Sequence, residues 1–260
     1  MQTMTHFVLA AGLACGIAAA FDTQPALAEL KTEAVAYKQG ETALEGYLAY
    51  DNSVSGKRPG VLLLHRYDGM SDFTRQHADA VARLGYVVFA PDIYGKDVRP
   101  KNVQDFVAQS SIYNKDRPLM RARAQAGFDV LRQNPMVDPA RIAMVGYCFG
   151  GTVAVELAEI GAPVVGAVAI HGSFRDHAPE AAKNIKGRFL ILHGAEDTVA
   201  PLDEVNKLIR DFRAAKIDWQ VELYGGAEHG FTIPKNPAEQ RANALSTASM
   251  TGFFRDIFGN

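Results

Sequence analysis

The sequence predicts an α/β fold, a doubly wound and mostly parallel sheet with helices on both faces, and three observations predict it. From residue 32 onward, apolar runs of strand length alternate with patterns of period 3.6. The runs at 61–64, 86–90, 142–145, 164–170 and 189–192 are continuously apolar, as parallel strands covered on both faces require. One of them passes through a glycine-bracketed turn straight into a helical pattern.

The elements follow in order. Segments 34–37 and 43–50 read as antiparallel strands at the start of the sheet. Ser71 is placed to cap a helix that stops at Gly85, and Met120, Ala124, Phe128 and Leu131 share one face of the next. Val153, Leu157 and Ile160 form a stripe ending at Gly161. Pro201 opens a helix with Val205, Leu208, Ile209 and Phe212 inward. Trp219, Val221 and Leu223 alternate with polar residues, which predicts a more exposed strand near an edge. Asn236-Pro237, with Glu239 three places beyond Asn236, starts the last helix. No repeat or linker divides this pattern, so residues 29–260 read as one domain.

Composition narrows the function. With 260 residues, 48% of them hydrophobic, the chain can bury one large core, and disorder is excluded. Lys and Arg number 27 against 29 Asp and Glu, so no field exists to hold nucleic acid. Two cysteines, Cys15 and Cys148, make neither a disulfide framework nor a four-cysteine zinc site. The reading therefore assigns no metal and no cofactor.

Residues 1–28 read as a signal peptide: an apolar stretch at 7–20, then Ala26-Leu27-Ala28 in the small-x-small pattern of a cleavage site. The n-region carries no Lys or Arg, which leaves an uncleaved membrane anchor as the competing reading. An apolar stretch of about 14 residues is short against the roughly 20 that span a bilayer. The expectation is an exported, periplasmic monomer with no stable membrane association once processed.

In sheets of this kind ligands bind beyond the carboxyl ends of the strands. There lies Gly146-Tyr147-Cys148-Phe149-Gly150-Gly151, between the run 142–145 and a helix. It is a nucleophile elbow with Cys in place of Ser. Its glycines are required because a side chain at Gly146 or Gly150 would collide with the neighbouring strand or helix. The turn also exposes the sulfur at a helix N-terminus, where free amides and the dipole favour a thiolate and bind an oxyanion.

A thiol nucleophile needs a base, and the base needs an orienter. In α/β-hydrolases the chain order is nucleophile, acid, histidine. Asp197 follows the run 189–192, and His229 follows the last strand on a glycine-rich loop. Glu196 is the rival acid. His65, His171 and His193 also end strands, but only His229 comes after Asp197, so they read as loop-ordering residues. His77 and His177 read as surface residues.

The elbow, Pro91-Asp92-Ile93-Tyr94, Asp197 and Gly226-Ala227-Glu228-His229-Gly230-Phe231 together resemble the dienelactone hydrolase family, over roughly residues 32–258. The resemblance implies an α/β-hydrolase fold and a Cys148, His229, Asp197 triad that cleaves a small ester or lactone through an acyl-thioester. It places the oxyanion hole at the backbone amides of Phe149 and Tyr67. Two positions depart from the family pattern. Arg66 stands where a glutamate assists thiol deprotonation, and Ile233 stands where an arginine grips the substrate carboxylate. Both are read as pocket residues: Arg66 as a cation favouring the thiolate, Ile233 as an apolar contact favouring neutral substrates. No counterpart of the second clamp arginine is assignable between Lys96 and Lys115, although Arg99, Lys101 and Arg66 are candidates to restore charge selection. The remaining readings are an exported redox-reactive thiol and a catalytically silent binding module.

Overall fold

The computed structural model describes residues 29–175 and 177–259, so the expected leader and Cys15 lie outside the described residues. The strands are β1 (Leu30–Gln39), β2 (Thr42–Asp51), β3 (Arg58–Leu64), β4 (Val87–Ala90), β5 (Val137–Tyr147), β6 (Gly166–Ile170), β7 (Arg188–Gly194) and β8 (Trp219–Tyr224). They form one sheet in the order β1-β2-β4-β3-β5-β6-β7-β8. The β1–β2 hairpin is antiparallel and meets β4 antiparallel, whereas every pairing from β4 to β8 is parallel. The expected mixed sheet, antiparallel only at its start, is the one observed.

Period-two alternation divides the apolar runs between two cores. In β3, Leu62 and Leu64 face one core while Val61 and Leu63 face the other. The first is closed by α3 (Arg117–Gln133), α4 (Phe149–Glu159) and α5 (Leu202–Ala215), through residues such as Phe128, Val153 and Phe212. The second is closed by α1 (Asp72–Ala82) and α6 (Pro237–Phe258), through Val81, Met250 and Phe254. Helices on both faces complete the doubly wound architecture.

The helix ends largely follow the local signals. Asn236 accepts the Glu239 amide, and the Glu239 carboxylate accepts the Lys235 amide, so reciprocal capping starts α6. Ser71 stands at the N-cap of α1, but its hydroxyl makes no capping bond.

Three expectations fail. Ile160 is exposed at the end of α4 and joins no stripe, because all eleven residues of that helix are buried and no single face is selected. His177 is buried, not superficial, between Glu159 and Asp211. His77 is half-buried, stacked on Phe73 with ring centroids 3.8 Å apart. A helix absent from the expectation, α2 (Val103–Lys115), follows β4 and stands beside the carboxyl ends of the strands.

Candidate active site

Cys148 joins β5 to α4 with φ 53° and ψ −115°, a conformation that L-residues adopt at a cost of about 1–3 kcal/mol and that persists only where the surroundings enforce it. Here the surroundings are backbone. A Cβ at Gly146 would overlap the Gly150 carbonyl, and one at Gly150 would overlap the Leu64 carbonyl of β3. The Cys148 amide donates to the Ile170 carbonyl at 2.9 Å, tying the turn to β6.

Three loops at the same sheet edge bring the expected residues together. Asp197, after β7, is buried, and its Oδ1 accepts the amides of Val199 and Ala200 at 2.9 and 2.8 Å. Its Oδ2 lies 2.8 Å from Nδ1 of His229, and Nε2 of His229 lies 3.1 Å from Cys148 Sγ. Glu196 is exposed and takes no part. The aspartate is selected because the turn after β7 points residue 197 inward and residue 196 to solvent.

The charges support one another. Burial opposes charge on His229, yet its hydrogen bonds to Asp197 and Cys148, with the coulombic pull of both, outweigh it and push the imidazole up to about 10. Burial likewise opposes charge on Asp197, but the bonds from His229 and the Ala200 amide hold that carboxyl below its ordinary value. At neutral pH an imidazolium therefore faces the sulfur and a carboxylate holds its other side.

The loop after β3 that carries the Tyr67 amide is held by side chains. His65 is buried; its Nδ1 lies 2.6 Å from the Arg66 carbonyl and its Nε2 accepts the Ile93 amide at 3.3 Å. The Tyr94 hydroxyl donates to the Tyr67 carbonyl at 2.9 Å. Asp92 in turn accepts the amides of Tyr94 and Gly95. Thus Pro91-Asp92-Ile93-Tyr94, singled out in the sequence, buttresses the loop carrying the Tyr67 amide. Phe149 is the first residue of α4, where an amide has no partner within the helix. His193, bonded to the Ala200 carbonyl at 2.8 Å, and His171, 3.0 Å from Thr232 Oγ1, order loops as expected.

A cavity of about 660 Å³ opens over the sulfur. Tyr67, Cys148, Phe149, His229 and Ile233 line it, as the sequence predicts. Arg66 does not. Its guanidinium is held by Asp68, 2.6 Å away, and lies 4.0 Å over the Phe73 ring, because a carboxylate two residues on and an aromatic face satisfy it locally. Arg99 is likewise held by Asp92 and the Gly95 carbonyl. The cations that do line the wall are Arg117, Arg175 and Lys235, none of them foreseen. Arg117 pairs with the buried Glu156 and Arg175 with Glu204. Ser110, Ser111 and Asn114 bring α2 to the same wall. The capping pair Asn102 and Asp105 was the local signal that could have found this helix, since Asn102 accepts the Asp105 amide.

The chain matches the model of the dienelactone hydrolase family over residues 44–258. It is 26% identical over 235 residues to a putative carboxymethylenebutenolidase of Synechocystis sp., covering 85% of this chain and 94% of that protein. A carboxymethylenebutenolidase homologue of Mus musculus is 27% identical over 164 residues, 62% of this chain and 65% of the other. Among solved structures, a dienelactone hydrolase-like promiscuous phosphotriesterase from metagenomic libraries is 32% identical with a TM-score of 0.83, covering 88% of this chain and 99% of that one.

Proposed function

Because the chain belongs to the dienelactone hydrolase family, we propose that it hydrolyses carboxylic esters or lactones with Cys148 as nucleophile, His229 as acid and base, and Asp197 as orienter. The observation carrying this reading is the unbroken hydrogen-bonded line from Asp197 Oδ2 through both nitrogens of His229 to Cys148 Sγ, 2.8 and 3.1 Å, at the floor of an open cavity.

In the first half-reaction the sulfur adds to the carbonyl carbon. Negative charge builds on the carbonyl oxygen, where the amides of Phe149 and Tyr67 receive it. His229 gives its proton to the leaving alkoxide, the carbon–oxygen bond breaks, and an acyl-thioester remains. In a lactone the alcohol stays attached to the acyl group. In the second half-reaction neutral His229 takes a proton from water, hydroxide adds to the thioester, and the carboxylic acid leaves as the sulfur regains its charge. Asp197 holds Nδ1 throughout, so that Nε2 is the nitrogen that exchanges protons.

The family likeness and the assembled constellation both speak against a silent binding module. A redox thiol needs open access for its oxidant but no histidine oriented by a carboxylate. The decisive experiment is mass spectrometry of the purified protein quenched during turnover of p-nitrophenyl acetate. One acetyl group on Cys148 is the expected result, and turnover with that cysteine never acylated would overturn the assignment. We propose further that residues 1–28 direct export to the periplasm; the native protein should then begin at Glu29 by intact mass.

A further inference from the structure

His171, at the carboxyl edge of the sheet, is left over by the proposed chemistry yet lies against His229. It follows β6 with no exposed surface and φ 41°, its ring centroid 5.2 Å from that of His229. One ring nitrogen, Nε2, meets Thr232 Oγ1, while Nδ1 has no hydrogen-bond partner among the described residues. Nitrogen or sulfur atoms of Cys148, His171 and His229 all lie within 4.8 Å of one another.

We propose that Cys148, His171 and His229 form a binding site for a thiophilic divalent cation, with zinc as the fitting ion, and that its occupation shuts the enzyme off. The donor set is one sulfur and two imidazoles, which suits zinc or cadmium and offers nothing to oxygen-seeking magnesium or calcium. Asp197 holds Nδ1 of His229 and leaves Nε2 for the metal, the carboxylate–histidine arrangement that orients metal-binding imidazoles. Thr232 holds one nitrogen of His171 in the same way.

The proton shared by Cys148 and His229 departs to solvent on binding, as metal coordination by a thiolate and a neutral imidazole demands. For one sulfur and two nitrogens about a tetrahedral zinc, donor atoms sit roughly 3.3–3.5 Å apart, given metal–sulfur and metal–nitrogen bonds near 2.3 and 2.0 Å. The Sγ–Nε2 edge, at 3.1 Å, opens slightly, and the other edges, all within 4.8 Å, settle to that spacing. The adjustment falls to the side chain of His229, which is part exposed. Cys148 lines the cavity, so the ion enters from solvent and a water completes its fourth position.

The site itself depends only on geometry; the inhibition rests on the proposed roles of Cys148 and His229. Reduced, chelator-treated protein titrated with cobalt(II) should show a sulfur-to-metal charge-transfer band that saturates at one equivalent and vanishes in Cys148→Ser. X-ray absorption of the zinc-loaded wild-type chain should find one sulfur and two imidazoles. His171→Phe, checked for folding by its thermal melt, should bind at least tenfold more weakly. No band at stoichiometric metal, a zinc shell with one imidazole, or undiminished binding by folded His171→Phe would each overturn the site. Zinc should also abolish ester hydrolysis, with recovery on chelation. Binding confirmed by spectroscopy without loss of hydrolysis would instead strike the catalytic roles and leave the site standing.

Discussion

The two walls of the cavity are built on different terms. On one, Cys148, Asp197 and His229 sit on loops pinned by backbone: the elbow is locked by glycine contacts, and the Asp197 carboxylate by two amides of its own turn. On the other, α2 and the segment around Arg175 present side chains tied by ion pairs and a few polar contacts. Only Ser110 and Tyr113 of α2 are buried, while Val103, Val107 and Ile112 are exposed. The pinned wall holds reacting groups in one geometry, and the loosely tied wall is free to vary with substrate. On the proposed mechanism, chemistry and specificity would be carried by separable parts of one cavity.

The largest effects should come from the pinned wall. Cys148→Ala removes the nucleophile and should cost turnover by about 10⁵-fold or more, and His229→Ala by a similar amount, as for triads whose members act as a unit. Cys148→Ala should melt close to wild type, since Cys148 is part of neither apolar core, whereas His229→Ala should melt lower because it leaves the buried Asp197 carboxylate without its partner. Measured p-nitrophenyl ester hydrolysis surviving in Cys148→Ala within tenfold would show that the pinned wall does not carry the reaction.

Asp197→Asn should rank next. It preserves shape but offers an amide to Nδ1 where a charge is needed, and a loss of about 10⁴-fold in kcat follows if the tautomer is wrong. Glu196→Ala should be indistinguishable from wild type. A reversal of those two rates would transfer the orienting role to the neighbouring acid.

These same residues were the legible ones, and the reason is physical. An elbow demands small residues on both sides of the nucleophile, which leaves a local pattern, and parallel strands buried on both faces leave unbroken apolar runs. The second wall leaves no such trace. In α2 the aliphatic residues Val103, Val107 and Ile112 are exposed, so their pattern does not mark a core-facing stripe. Arg117 and Arg175 depend on Glu156 and Glu204, partners far along the chain. His177 meets Glu159 and Asp211, likewise not its sequence neighbours. Arg66 was different: its partner Asp68 stood two residues away, and reading the pair would have withdrawn the guanidinium from the cavity.

A third test sharpens the electrostatic half of the comparison. The raised value of His229 means that its charged form is favoured in the folded chain. That contribution to stability is complete below the ordinary imidazole value and is lost as pH rises through about 10. Asp197 and Cys148 are the partners that outweigh burial, so Cys148→Ala should lower the titration midpoint of His229, and Asp197→Asn should lower it too. Imidazole resonances followed by NMR against pH measure this directly. A midpoint unmoved in Cys148→Ala would mean the sulfur exerts no pull on the ring. Arg66→Ala, with its guanidinium held by Asp68, should leave both that midpoint and the iodoacetamide reactivity of Cys148 nearly unchanged.

The smallest effects belong to the loosely tied wall and concern substrate charge. A buried cationic clamp discriminates strongly because a neutral analogue leaves its donors unpaired. No such clamp is assembled here among the described residues. Arg117, the most enclosed of the three cations, is already met by Glu156 at 3.5 Å. Arg175 is exposed and paired with Glu204, and Lys235 is exposed beside Ile233 at the rim. Exposed pairings contribute about 0–1 kcal/mol, less than the roughly 1.4 kcal/mol that a tenfold preference requires. A carboxylate-bearing lactone should therefore be favoured over a neutral one by less than tenfold in kcat/KM, and Lys235→Ala should reduce even that margin while leaving the neutral substrate unaffected. Raising salt should act in the same direction, because a rim charge is screened and a buried clamp is not. A tenfold or greater preference for the anion that persists in high salt would mean that Arg117 exchanges Glu156 for the substrate, and that the second wall is built as firmly around its task as the first.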